Sequence, residues 1–99
     1  MSQWNPILVS ITVTGGAGQT AFQSNGGDCM GLTVKVPSAT PTYDVEVWDQ
    51  DSFPHFGAIG AQGTSYFPCR LQLFDRQTIF IANATVNGVY QVKLWCRPY

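Results

Sequence analysis

Residues 48–57 read WDQDSFPHFG, and they gather Asp49, Asp51 and His55, the chain's one histidine, just downstream of Asp44 and Glu46. Two chemistries use such groups. The Asp-x-Asp spacing suits a calcium loop, but calcium takes six to eight oxygen ligands, and the glycine and bidentate acid that complete an EF-hand loop do not follow. A calcium site at Asp49 and Asp51 would have to borrow ligands from another loop, such as SNGGD with Asp28. Zinc fits worse, because Cys29, Cys69 and Cys96 are dispersed and show no C-x-x-C spacing. No metal is expected, and Asp49 with Asp51 is the weaker alternative. Nucleophilic catalysis would pair His55 with a serine or cysteine and an orienting acid such as Asp51. No strand–nucleophile–helix elbow accompanies them, so no enzyme is expected. The simpler reading makes Asp49, Asp51 and Ser52 turn residues whose side chains bond local N–H groups. Pro54 then blocks regular pairing, and a glycine-rich loop follows.

The elements that must position this stretch alternate with period two. Ile7, Val9, Ile11 and Val13 share one face, as do Leu32, Val34 and Val36, then Tyr43, Val45 and Val47. Leu71 with Leu73, Ile79 with Ile81, and Tyr90, Val92, Leu94 and Cys96 continue the pattern. One apolar and one polar face per strand is the mark of antiparallel sheets. No window carries a helical stripe. GGAG, SNGGD, PSATP, FGAIGAQG and NG supply turn chemistry between the runs. Six clear strands, with a further one at 20–23 or 64–67, predict an all-β antiparallel sandwich of about seven strands, Ig-like or jelly-roll-like. It forms one domain over residues 1–99.

Asn87-Gly88-Val89-Tyr90 resembles the glycine-x-tyrosine core of the Ig-type tyrosine corner, in which the hydroxyl returns to backbone upstream. The same Asn-Gly also suits a type I′ turn joining IFIANAT to VYQVKLW as a hairpin. Both readings keep an antiparallel sheet.

Composition excludes several classes. Charged residues are 11% of the chain and the formal net charge is −1, so charge is scarce for a lone soluble domain and points to surface covered by partners. The basic residues Lys35, Arg70, Arg76, Lys93 and Arg97 form no run, so no nucleic-acid partner is expected. No apolar run approaches the ~20 residues of a membrane span. The glycines are turn glycines, with no phosphate-binding motif and no cofactor implied. The start at Met1, without a cationic leader, predicts synthesis in a cytoplasm and reduced, mostly buried thiols. One disulfide with one free thiol is the alternative for an exported chain. The sequon NAT at Asn83–Thr85 is read as chance.

By parity Leu8, Trp48, Phe74, Phe80 and Trp95 point away from their strands' apolar face. Exposed aromatics mark contact surfaces, and the null is a covering loop or a bulge that flips parity. Trp48, Phe53, Phe56, Phe80 and Trp95 are therefore the candidate interface residues, with the tryptophans as anchors.

A chain near 100 residues with low charge, glycine-rich loops and unpaired cysteines carries YDVEVWDQDSFPHFGAIGAQGT followed by IFIANATVNGVYQVKLW. This combination resembles the small all-β structural proteins of tailed bacteriophages: capsid decoration proteins and small head–tail or tail components. The resemblance implies a virion protein without catalysis. It implies a homo-oligomer, often a trimer, that clamps capsid subunits such as a major capsid protein or bridges virion parts. The alternative is a carbohydrate- or cell-surface-binding sandwich. In it exposed tryptophans stack on sugar rings, while Asp49, Asp51 and Asn25 bond hydroxyls or hold calcium.

Overall fold

The computed structural model describes residues 6–24, 27–38 and 41–97, in eight strands. These are β1 (Ile7–Val13), β2 (Gly18–Ser24), β3 (Asp28–Lys35), β4 (Thr42–Trp48), β5 (Pro54–Gln62), β6 (Ser65–Gln72), β7 (Asp75–Ala82) and β8 (Gly88–Arg97). Among the described residues there is no helix, and so none long and apolar enough to cross a membrane.

Two four-stranded antiparallel sheets form, ordered β1-β8-β3-β6 and β2-β7-β4-β5. The pairing is nested: β1 with β8, β2 with β7, β3 with β6, β4 with β5. The chain is thus one long ribbon folded at the β4–β5 turn and wrapped so that successive pairs fall in opposite sheets. That is the jelly roll. An Ig sandwich would order its strands ABED and CFG, so strand order decides between the two sandwiches the sequence leaves open.

The apolar parity positions meet between the sheets. Ile11, Val13, Leu32, Val34, Val92 and Leu94 come from the first sheet, and Val45, Val47, Ile79 and Ile81 from the second, all buried. A one-residue slip would turn each strand's apolar set to solvent, so this burial fixes register.

Two connections show how local chemistry serves the wrap. Thr14 and Ala17 exchange backbone hydrogen bonds around Gly15 and Gly16, whose positive φ of 62° and 82° is what a two-residue primed turn requires. Beyond that turn β1 and β2 part into different sheets. Asn87-Gly88 does not close a hairpin, because β7 and β8 belong to different sheets. Tyr90 donates its hydroxyl to the Val86 carbonyl at 2.7 Å instead, so the corner reading holds.

The strand count is larger than the sequence pattern predicts. Both candidate stretches pair: 20–23 lies within β2, and 65–67 opens β6. FGAIGAQG is not a loop: all of it but Gly63 lies in β5, an edge strand held by β4 through two register shifts. Pro54 opens that strand opposite Trp48 rather than preventing pairing; an edge position and a bulge both tolerate the missing N–H.

Candidate functional site

The β4–β5 hairpin tip is built by Asp49. Its Oδ1 accepts the N–H groups of Asp51 and Phe53, each at 2.9 Å. Its own N–H donates to the Phe53 carbonyl, and its carbonyl accepts from Ser52. Ser52 takes the left-handed conformation, φ 65°, that this turn needs. Asp49 thus does turn chemistry. Phe53 rides on the tip, 67% exposed.

His55 follows at the start of β5. Gln77, buried on the inward face of β7, donates from its amide nitrogen to the Phe74 carbonyl at 2.7 Å. Its amide oxygen therefore faces His55 Nε2, 2.9 Å away. An amide oxygen only accepts, so His55 donates from Nε2. Two depressions flank the ring. The larger, about 590 Å³, is lined by Asp28, His55, Arg70, Leu71 and Gln72. The smaller, about 170 Å³, lies against the hairpin tip, where Asp51, Phe74 and Asp75 join His55 and Gln77. The ring nitrogen that faces Gln77 is committed to an amide, so the arrangement positions His55 as a polar end-cap between two open hollows. Among the described residues no group of three or more histidine, cysteine, aspartate or glutamate side chains is gathered to hold a metal ion. Asn25, a candidate hydroxyl contact, lies outside the described residues.

The outer faces hold the aromatics. On the second sheet Trp48 lies half-buried against Phe80, ring centroids 5.3 Å apart, and its buried indole N–H has no hydrogen-bond partner. On the first sheet Trp95 donates its indole N–H to Thr33 Oγ1 at 3.1 Å, and the Lys93 ammonium sits 4.3 Å over its ring. Leu8, 65% exposed, is the cross-strand neighbour of Lys93. A groove of about 270 Å³ runs there between Leu8, Thr33, Lys35, Thr64, Gln91 and Lys93. Tyr66 lies over Gly31, where a Cβ would stand 2.2 Å from its hydroxyl oxygen; only glycine lets the ring lie flat there. Phe56 turns inward onto Phe67 at 6.0 Å and packs against the core. The surface on offer therefore comes from Trp48, Phe53, Phe80 and Trp95.

Strand order assembles one constellation that spacing hides. Cys29 is the cross-strand partner of Cys96, and Cys69 reaches the same point from β6, where β3 shifts register. All three are free thiols, Cys29 and Cys96 buried and Cys69 half-buried. Cys69 and Cys96 hydrogen-bond to the Cys29 sulfur, which lowers that thiol; the same contact and burial raise the other two. Elsewhere, Asp44 accepts from the Asn83 side chain at 2.7 Å and from the Gly60 N–H at 2.8 Å, and these donors hold its carboxyl below its ordinary value. The sequon's Asn83 is thereby engaged, and Thr85 accepts the Thr42 N–H.

Compared with known proteins, the chain matches no family model and no curated protein.

Proposed function

We propose that this protein is a non-enzymatic structural component of a virus particle, of the decoration or head–tail kind, that binds copies of itself and a larger shell. One observation carries the reading: aromatic side chains stand on the outer faces of both sheets and at the hairpin tip, where a solitary sandwich would be polar. Trp48 with Phe80, Trp95 beside Leu8, and Phe53 are those residues. Large apolar groups left at a surface are matched by a partner's surface. Jelly rolls recur in capsid proteins, although a fold alone does not set a function. Co-sedimentation with purified shells, alongside sedimentation velocity of the free protein, tests it. Binding that weakens in Phe53→Ser and Trp95→Ala supports the reading. A strictly monomeric protein that binds no particle overturns it.

A second reading draws on the polar depression lined by Asp28, His55, Arg70 and Gln72. Jelly rolls also occur in lectins, and these groups offer donors and acceptors to sugar hydroxyls. A glycan array with and without chelator decides; no binding in either condition removes it.

A further inference from the structure

The wrap sorts the charges. The strands of the first sheet carry Lys35, Arg70, Lys93 and Arg97 against a single acid, Asp28, a formal +3. The second sheet and its hairpin tip carry Asp44, Glu46, Asp49, Asp51 and Asp75 against a single base, Arg76, a formal −4. Together these account for every charged side chain and for the net −1 of the chain. A scarcely charged protein is thus a dipole across its two sheets.

The charges that matter most stand beside the outward aromatics. Lys93 lies between Leu8 and Thr33 in the register, next to Trp95, and Lys35 is the neighbour of Gln91. On the opposite side Glu46 lies between Phe80 and Gly57, and Asp44 faces Ala82. Val45, Val47, Val34 and Val92 point inward at alternate positions, so these four charged residues all look outward. Each outer face is therefore an aromatic surface among charges of one prevailing sign, with Asp28 the exception on the first sheet and Arg76 on the second.

We infer that a second copy of this chain docks its acidic β2-β7-β4-β5 face onto the basic β1-β8-β3-β6 face of the first. A two-fold contact of either face with itself would place Lys35 and Lys93, or Asp44 and Glu46, against their own kind, and like charges across an interface repel and select against that pairing. The front-to-back contact sets opposite signs together around the Trp95 and Trp48–Phe80 surfaces. It is heterologous: each copy uses one patch and leaves the other free. The two patches lie on opposite sides of a sandwich, so the contact repeats in one direction and gives open, concentration-dependent stacks. This inference rests on the self-assembly part of the proposed function and names the surfaces that perform it.

Charge swapping tests it. The variants are K35E/K93E and D44K/E46K, with circular dichroism confirming that each stays folded, and the readout is sedimentation velocity over a range of concentration and salt. Wild-type mass should grow with concentration and shrink between about 25 and about 500 mM salt, because screening shortens the reach of exposed charges. Each variant alone should associate about tenfold or more weakly, since positions 35 and 93 then carry the same sign as positions 44 and 46 across the contact. An equimolar mixture of the two should regain association, because each variant's faces complement the other's. Oligomers that ignore salt and both reversals overturn the docking mode and leave self-assembly standing. A wild-type monomer that still binds shells also overturns the stack, while shell binding survives. A monomer that binds no shell ends both.

Discussion

Tyr43 and Tyr90, one from each sheet, meet edge to face inside the sandwich, with ring centroids 5.6 Å apart and planes at 73°. Their hydroxyls reach backbone in different directions: Tyr43 donates to the Gly63 carbonyl at 2.8 Å and Tyr90 to the Val86 carbonyl at 2.7 Å. The pair bonds the β5–β6 turn and the β7–β8 crossing to the core through two hydrogen bonds and one ring contact.

Tyr43→Phe and Tyr90→Phe should each cost about 1–2 kcal/mol, because the ring contact survives while a carbonyl loses its donor. Urea unfolding measures this. A double variant that costs no more than either single one would show that the two hydroxyls do not act on separate connections.

Alkali should act through the same residues. Burial raises the pKa of both tyrosines above the ordinary value, which is about 10. The folded state therefore holds these protons more tightly than the unfolded chain. Their contribution is complete below pH ~10 and is lost as pH rises through the folded values. Phenolate absorbance should show part of the tyrosine signal delayed until the protein unfolds. Full ionisation near pH 10 with the fold intact would contradict it.

Gln77 holds the sandwich end from within. Gln77→Leu removes the donor to the Phe74 carbonyl and the acceptor for His55. At a buried position that should cost about 1–3 kcal/mol. His55→Ala, at a half-exposed position, should cost less. Thermal melts give both values, and the reverse ranking would mean that the imidazole rather than the amide secures this end.

The thiol cluster predicts an order of reactivity. Cys69 is half-buried, whereas Cys29 and Cys96 are buried. A disulfide reagent should label Cys69 in the folded protein, more slowly than a free thiol because its thiolate is disfavoured. The other two should react only on unfolding. Cys69→Ser should remove the native-state phase, and its persistence would move the accessible thiol elsewhere.

What the sequence reveals follows the burial. Val9, Ile11, Val45, Val47, Ile79, Ile81, Val92 and Leu94 recur at every second position, so their strands and inward faces are legible residue by residue. β5 is not legible: its glycines and alanines offer no large apolar alternation, and Ile59 stands 90% exposed in it. Pairing with β4 makes it a strand, and pairing is not written in one segment. Gln77 is hidden for the opposite reason, as a polar residue at an inward position. The cysteine cluster appears only when β3 is set between β8 and β6, an adjacency of segments far apart in the chain. The turn role of Asp49 is legible because an aspartate bonding N–H groups two and four residues on is a local event.

The nested pairing also fixes when this protein can fold. β8 is the last of the eight described strands along the chain, yet it is an inner strand of its sheet, bonded to β1 on one side and β3 on the other. Ile7 must wait for Leu94, nearly a whole chain away. Closing contacts so distant in sequence is slow. During synthesis β1 and β3 therefore wait without their shared partner until β8 emerges. Deleting β8 would therefore remove the middle of the first sheet rather than trim an edge.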